Sequence, residues 1–165
     1  MKNNVVLIGM PGAGKSTVGI VLAKLLGYCF LDSDLVIQEA EGRLLKDIIE
    51  QEGIARFIEI EEKINAEIRA EHTVIATGGS VVYGKKAMEN MRSLGRVVYI
   101  KLSYEEICSR VGNVKQRGIV LAEGQTFREL YDERILLYEH YADLVMDAEK
   151  KTIEETAISI KELLQ

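Results

Sequence analysis

Residues 9–16 read GMPGAGKS and lie between a short apolar run at residues 4–8 and a helical pattern that begins at Lys15. The octapeptide fits G-x-x-x-x-G-K-[ST], in which glycines let backbone N–H groups converge on phosphate oxygens at a helix N-terminus. Chance would produce this pattern in roughly one chain of this length in a hundred or two. The alternative is a glycine-rich turn followed by an ordinary surface lysine. The flanking strand and helix favour a nucleotide phosphate-binding loop.

The residues of this loop predict how a nucleoside triphosphate and Mg²⁺ would be held. We expect Lys15 to reach the β and γ phosphates and Ser16 to ligate Mg²⁺. The expected nucleotide-binding positions are Gly12, Ala13, Gly14, Lys15, Ser16 and Thr17.

Short runs rich in Val and Ile alternate with helical patterns along the chain, at residues 4–8, 28–31, 73–76, 96–101 and 143–146. Residues 34–70 are helical with breaks at Gly42 and Gly53, and later helices begin at capping boxes. These boxes pair Ser103 with Glu106, Thr126 with Glu129, and Thr152 with Glu155. The pattern predicts an α/β fold, a three-layer α/β/α sandwich of the P-loop NTPase type around a five-stranded parallel sheet. Without a repeat or linker, residues 1–165 are expected to form a single domain.

Composition restricts the class of protein. The chain has 165 residues, a net charge of -5, 47% hydrophobic and 28% charged residues, values typical of a folded globular protein. It has no apolar run long enough to span a membrane and no basic leader, so we expect a cytoplasmic protein without a membrane partner. We also expect it to be a monomer. The two cysteines lack CxxC spacing and are expected to be buried thiols. Residues 85–117 carry a net charge of +5, which we assign to nucleotide phosphates and not to nucleic acid.

Two aspartates follow the second predicted strand in the tripeptide Asp32-Ser33-Asp34. Ligands of such sheets bind at the carboxyl ends of the strands, where these carboxylates would emerge beside the phosphate loop. One carboxylate can hold Mg²⁺ through its waters, while the other orients an acceptor hydroxyl or takes its proton. The alternative is that Asp32 or Ser33 merely caps the next helix.

Two further features are expected near the same edge. The turn at residues 77–80, TGGS, would let backbone approach a ligand closely, although a plain tight turn would have the same sequence. Arg110 and Arg117 flank the start of an irregular, glycine-containing segment at residues 111–124, and Arg134 lies on the following helix. Each arginine alone is a common surface residue, but phosphoryl transfer needs movable positive charge, for which we select Arg117 in a lid at about 111–124.

The phosphate loop occurs in GTPases, ATPase motors and small-molecule kinases. The GTPase alternative needs N-K-x-D, and the nearest string, NVKQ at residues 113–116, lacks the aspartate. Motors usually place the loop in a larger domain. A non-catalytic nucleotide-binding module remains an alternative, although such a module has no need of an acceptor-side aspartate.

The sequence resembles the shikimate kinase family over essentially its whole length. The resemblance is carried by GMPGAGKST at 9–17, DSD at 32–34, ATGGSVV at 76–82, the region of Arg117 and ERILLYEHYADLVMD at 133–147. It implies a nucleoside-kinase-like fold, a lid that closes over ATP and transfer of phosphate to the 3-hydroxyl of shikimate.

The resemblance also implies residue roles. Asp34 would bind acceptor hydroxyls, Asp32 and Ser16 would hold Mg²⁺, and Arg110 would lie near adenine. Arg117 would bind the phosphates and Arg134 the carboxylate of the acceptor. With Lys15, Asp32, Asp34 and Arg117 as catalytic residues, the expected acceptor-binding positions are Asp34, Ile58, Gly78, Gly79, Ser80 and Arg134.

Three positions depart from the family pattern. A Phe-Arg pair followed three residues later by Glu is here Phe57-Ile58 with Glu61, so isoleucine replaces a carboxylate-binding arginine. Arg56 is expected not to substitute, because two residues along a helix is a rotation of about 200°. The third glycine of the turn is Ser80, and the lid's Arg-Pro is Arg117-Gly118.

These departures suggest a second hypothesis about the acceptor. Losing one charged partner of a carboxylate typically costs a few kcal/mol of binding free energy. The acceptor would then lack shikimate's carboxylate or carry a cation near Glu61, as a polyol, hydroxy acid or amine-bearing compound. A nucleoside or nucleotide acceptor is disfavoured by the short segment between the second and third strands.

Overall fold

The computed structural model describes residues 3–112, 119 and 121–165. In this part of the chain there are five strands: β1 (Asn4–Ile8), β2 (Cys29–Asp32), β3 (Thr73–Ala76), β4 (Gly95–Lys101) and β5 (Leu144–Asp147). The same residues form seven helices: α1 (Lys15–Leu26), α2 (Ser33–Glu41), α3 (Leu45–Glu67), α4 (Lys85–Leu94), α5 (Tyr104–Val111), α6 (Phe127–Tyr141) and α7 (Ile153–Leu163). A short 3-10 helix covers Val81–Tyr83.

The five strands form one parallel sheet in the order β2-β3-β1-β4-β5. Val5 of β1 pairs with Val74 of β3 on one side and with Arg96 of β4 on the other. The chain therefore leaves β1 at the point where the strand order reverses, which is where ligands bind in open α/β sheets. The predicted fold class is confirmed.

The central strands are buried because helices cover both faces of the sheet. Every residue of β1 and β3 is buried, as the unbroken apolar runs predict for a parallel sheet. Helix α1 packs against α7 and against β2 and β3, whereas α4 packs against α3, β1 and β4. This arrangement is the predicted three-layer sandwich.

A smaller apolar cluster lies outside the main core, between α2 and α3. Its buried members are Ile37, Ile48, Phe57 and Ile60. Helix α3 bends inside this region at Gly53, whose φ of 82° and ψ of 168° are not helical. The bend separates the first turns of α3 from the segment that carries Phe57 to the ligand-binding edge.

Two predictions about local structure are wrong. The hydroxyl of Ser103 accepts from the backbone N–H of Glu106, but the Glu106 carboxylate pairs with Arg110 at 2.7 Å, and the N–H of Ser103 donates to Glu149 instead. The capping boxes of α6 and α7 are confirmed.

The second wrong prediction is that both cysteines are buried thiols. Cys29 is exposed, since it begins the edge strand β2, and Cys108 is half-buried. No helix among the described residues is long and apolar enough to cross a membrane.

Candidate active site

The phosphate loop connects the buried end of β1 to the first turn of α1. Gly12 and Gly14 have φ values of 82° and 89°, a backbone conformation that favours glycine. A Cβ at Gly12 would also lie 2.9 Å from Cγ2 of Val111, so the loop packs closely on the end of α5. Glycine at both positions is therefore required by the path of the backbone.

Lys15 is buried at the centre of this loop. Its ammonium donates to the carbonyl oxygens of Gly9 and Met10, at 2.8 and 2.9 Å. Burial lowers the pKa of Lys15 to about 8, and the nearby Asp34 carboxylate opposes that shift. A buried ammonium of this kind is suited to bind an anion, because phosphate oxygens would restore the stabilisation that water otherwise supplies.

Ser16 and Asp32 meet beside the loop. The Ser16 hydroxyl donates to Oδ2 of Asp32 at 2.6 Å, and Oδ1 of Asp32 accepts from the backbone N–H of Asp34 at 3.0 Å. One oxygen thus caps α2 while the other lies at the phosphate loop. A hydroxyl and a carboxylate side by side fit Mg²⁺, which binds through one or two carboxylates together with substrate phosphates and water.

A cavity of about 320 Å³ lies at the carboxyl ends of the strands. One side is the phosphate loop, at residues 11, 12 and 14–17, and the opposite side is Asp34, Glu61 and Arg134. The turn at residues 77–80 forms part of its wall. Leu45, Phe57 and Ile119 give it an apolar side. The structure therefore brings most of the predicted nucleotide and acceptor residues to one cavity.

Two predicted nucleotide-binding residues lie next to this cavity and not in its wall. Ala13 and Arg110 line a separate cavity of about 340 Å³ together with Ala148 and Thr152. The Cβ of Arg110 is 3.7 Å from the position that a Cβ would take at Gly12. This second cavity adjoins the phosphate loop on the α5 and α7 side.

Asp34 has a carboxylate oxygen without a partner. Its Oδ1 is buried and has no hydrogen bond among the described residues. Burial, followed by the neighbouring Asp32 carboxylate, raises the pKa of Asp34 to about 6, while Lys15 acts in the opposite direction. A buried, unpartnered carboxylate oxygen beside a phosphate loop can accept a hydrogen bond and a proton from a hydroxyl.

Glu61 and Ser80 form a contact that sequence reasoning missed. The Ser80 hydroxyl donates to Oε1 of Glu61 at 2.6 Å, and the residues are 5% and 2% exposed. Burial raises the pKa of Glu61 to about 7, Asp34 adds to the shift, and the Ser80 hydrogen bond opposes it. The two residues are 19 positions apart on different elements, so no local pattern could have indicated the pair.

Arg134 is enclosed by aromatic side chains. It is 1% exposed, and its guanidinium carbon lies 5.4 Å from the centre of the Tyr83 ring. A Cβ at Gly79 would lie 3.0 Å from Nη1 of Arg134 and 2.8 Å from Cδ of Pro11. The Tyr138 hydroxyl donates to the carbonyl of Gly79 at 2.6 Å and fixes the turn beside the arginine. The guanidinium can therefore present its donors at one place in the cavity.

The structure does not bring Ile58 to the cavity of about 320 Å³ between the phosphate loop and Asp34, which is the main cavity of the site. Ile58 lines a separate cavity of about 170 Å³ with Ile54, Leu130 and the Tyr83 that lies under Arg134. Arg56 is on the exposed face of α3, with ion pairs to Glu52 and Glu59 at 3.5 and 2.9 Å. Arg56 lines neither the main cavity nor the one that Ile58 lines, which agrees with the rotation expected between positions 56 and 58. Arg117 and half of the predicted lid, residues 113–118 and 120, lie outside the described residues.

Comparisons with known proteins agree with these motifs. The family model described as shikimate kinase matches residues 11–165. A shikimate kinase of Sulfurihydrogenibium sp. is 36% identical over 163 residues, 96% of this chain and 98% of its own. A shikimate kinase of Thermodesulfovibrio yellowstonii is 37% identical over 160 residues, 95% of this chain and 92% of its own.

Solved structures give the same result. Shikimate kinase from Acinetobacter baumannii in complex with shikimate is 33% identical, covers 98% of this chain and 92% of its own, and has a TM-score of 0.90. Shikimate kinase from Aquifex aeolicus is 30% identical over 98% and 95% of the two chains, with a TM-score of 0.82. The described loop, the acidic residues beside it and the match over nearly the whole length show that this chain belongs to the shikimate kinase family.

Proposed function

We propose that this protein transfers the γ-phosphoryl group of ATP to the 3-hydroxyl of shikimate. The observation that carries the proposal is that the phosphate loop and the unpartnered carboxylate of Asp34 line one cavity of about 320 Å³. Phosphoryl transfer needs little beyond positioning and charge stabilisation, and both sets of groups are within this cavity. A complex of a structural neighbour with shikimate supports the choice of acceptor.

The nucleotide side of the proposal assigns each loop residue a task. Backbone N–H groups of Gly12, Ala13 and Gly14, with Thr17 in the first turn of α1, bind phosphate oxygens, and Lys15 supplies positive charge. Ser16 and Asp32 hold Mg²⁺, which neutralises charge on the phosphates when bound. Arg110 lies beside the adenine.

The acceptor side rests on the opposite wall. Asp34 accepts a hydrogen bond from the reacting hydroxyl through Oδ1 and takes its proton. Arg134, fixed by Tyr83 and Tyr138, binds the carboxylate of the acceptor. Gly78 and Gly79 allow close approach of the backbone.

Three further assignments are part of the same proposal. The apolar side of the cavity, Leu45, Phe57 and Ile119, excludes water from the ring of the acceptor. Because Ile58 lines another cavity, it influences acceptor choice without direct contact. It does so by the absence of the positive charge that the arginine of the family pattern would supply at this position. We also propose that residues 1–165 act as one domain, a cytoplasmic monomer with a lid at about 111–124 carrying Arg117, and that its partner is a small molecule and neither nucleic acid nor membrane.

One observation favours a different acceptor for the same chemistry. Position 58 carries isoleucine, and the Glu61 carboxylate is bound by a serine hydroxyl. An acceptor without shikimate's carboxylate, or with an ammonium group near Glu61, would suit that wall. A non-catalytic nucleotide-binding module is disfavoured, because a buried Asp34 carboxylate has no use in a protein that only binds ATP.

A coupled assay of ADP release with ATP and Mg²⁺ tests the proposal, with shikimate compared with quinate, common polyols and hydroxy acids. We expect shikimate-dependent release, reduced at least about a hundredfold in Asp34→Asn, since a positioned proton acceptor typically contributes that factor or more. Release with another compound alone would identify a different acceptor. Absence of release with every compound would favour the binding module.

A further inference from the structure

The Ser80 hydroxyl joins two elements that form the acceptor wall of the cavity. Ser80 ends the turn after β3, and Glu61 lies on α3, one helical turn after Phe57. The hydrogen bond between them is 2.6 Å long and both residues are almost completely buried. Ser80 and Glu61 both line the main cavity, so the bond lies at the binding surface and not in the core.

The other oxygen of Glu61 faces a second carboxylate. Oε2 of Glu61 lies 2.7 Å from the position that a Cβ would take at Gly78, and Oδ1 of Asp34 lies 2.9 Å from the same point. The two oxygens therefore converge above Gly78, where the residue has no side chain. Oδ1 of Asp34 is buried and has no partner among the described residues. A ligand that enters the space beside these two carboxylate oxygens should therefore offer them a hydrogen-bond donor.

The charges around Glu61 come from three other elements. Asp34 at the start of α2 disfavours its ionised form, whereas Lys15 of α1 and Arg134 of α6 favour it. Burial is the largest influence and raises the pKa of Glu61 to about 7. The Ser80 hydroxyl bonds directly to the carboxylate and lowers that pKa, so it helps to keep Glu61 ionised near neutral pH.

We propose that Ser80 is a positioning residue that holds Oε1 of Glu61, so that Oε2 accepts a hydrogen bond from the donor group next to the reacting hydroxyl of the acceptor. The inference rests on the proposed function and deepens it, because it names a group that the acceptor must carry. Asp34 accepts a hydrogen bond from the reacting hydroxyl. Glu61 accepts one from the group next to that hydroxyl, which is either a second hydroxyl or an ammonium. The acceptor is thus a vicinal diol or a vicinal amino alcohol.

Kinetics of Ser80→Ala and Ser80→Gly provide the first test, with Ser93→Ala, an exposed serine on α4, as the matched control. We expect both variants to raise KM for shikimate about tenfold, since a hydrogen bond to a charged group typically contributes this much. Their kcat and KM for ATP should change less than threefold. Unchanged KM for shikimate in both variants would overturn the proposal.

A comparison of two ligands tests whether Glu61 contacts the acceptor. Calorimetry compares shikimate with shikimate from which the hydroxyl next to the reacting one has been removed. Wild-type protein should bind the deoxygenated compound about tenfold more weakly than it binds shikimate. For Glu61→Gln the difference between the two ligands should be less than threefold, because the amide lacks the charge that strengthens the hydrogen bond. Equal losses in the two proteins would contradict a contact. Replacing the removed hydroxyl by an amino group distinguishes the diol from the amino alcohol.

A third measurement does not depend on turnover. Carbon-13 NMR of the ligand-free protein follows ionisation of the Glu61 carboxyl group in wild type and in Ser80→Ala. Loss of the hydrogen bond should move the titration midpoint of Glu61 to higher pH, because the bond favours the ionised form. An unchanged midpoint would overturn the role of Ser80. Failure of wild-type protein to phosphorylate shikimate would count against the proposed function alone, since this titration would still decide whether Ser80 controls Glu61.

Discussion

At the scale of single residues, the carboxylate of Asp32 makes two contacts that position the site. Asp32 caps α2 with Oδ1, as one of the two alternatives predicted, and its Oδ2 contacts Ser16 at the phosphate loop, so the cap leaves one oxygen available for the proposed Mg²⁺. The phosphate loop could be predicted because its function is encoded in consecutive residues. The Ser80–Glu61 contact could not, because it depends on how α3 packs against the turn after β3.

Gly79 is predicted to be irreplaceable for steric reasons. A Cβ there would lie 2.8 Å from Cδ of Pro11 and 3.0 Å from Nη1 of Arg134, so Gly79→Ala must displace the phosphate loop or the arginine. We expect KM for the acceptor to rise at least about tenfold and the free energy of unfolding to fall by about 1–3 kcal/mol. Steady-state kinetics and urea denaturation measure these effects. A variant with unchanged KM and stability would contradict the packing described for this turn.

Glu61 is predicted to lower the stability of the ligand-free protein at alkaline pH. Its pKa is raised from 4.5 to about 7, so the folded state binds the proton more tightly than the unfolded state does. The free energy of unfolding should therefore fall as pH rises from about 4.5 to about 7, by up to about 3 kcal/mol from this group. Glu61→Gln should remove that fall and be the more stable protein at pH 8.

Urea denaturation at several pH values between 5 and 8 measures this difference. Glu162→Gln, which changes an exposed carboxylate on α7, is the matched control and should follow wild type. If Glu61→Gln loses stability with rising pH as wild type does, the Glu61 carboxylate is not the group responsible.

At the scale of elements, the glycines predicted correctly where the helices are interrupted, but not which backbone conformation each glycine adopts. The chain does leave helical conformation at Gly42 and at Gly53, as predicted. The backbone at Gly53, with φ 82° and ψ 168°, lies in a region that is almost restricted to glycine, whereas Gly42 and Gly27 are in the left-handed helical region. Sequence indicates that a glycine is needed, but the tertiary position of α3 decides which conformation it takes.

This difference predicts unequal effects of one substitution at two glycines. Gly53→Asn should lower the free energy of unfolding by about 1–3 kcal/mol, because no other residue adopts that conformation readily. Gly27→Asn should cost less, since asparagine tolerates the left-handed cap of α1. Among the residues that the structure describes, no atom lies within 4 Å of a Cβ at either position, so contacts with them do not contribute to the difference. Chemical denaturation of both variants compares the costs, and an equal or smaller loss at Gly53 would contradict the described bend.

At the scale of the whole molecule, strand order turns separate motifs into one site. The motifs at residues 9–16, 32–34 and 77–80 follow β1, β2 and β3, which are neighbours in the sheet and end at the same edge. Alternation of apolar runs and helices was sufficient to predict this architecture, because parallel strands require helical crossovers. The exposure of Cys29 was not predicted, since composition does not reveal which strand lies at an edge.

The most direct test of the account is the identity of the phosphorylated product. Purified protein would be incubated with ATP, Mg²⁺ and shikimate, and phosphorus-31 NMR would follow formation of a phosphate monoester, with Asp34→Asn as the comparison. We predict one new monoester, on the 3-hydroxyl of shikimate, formed in step with ADP and strongly reduced in the variant. ATP consumption without a shikimate monoester, or equal product from Asp34→Asn, would contradict the proposed reaction.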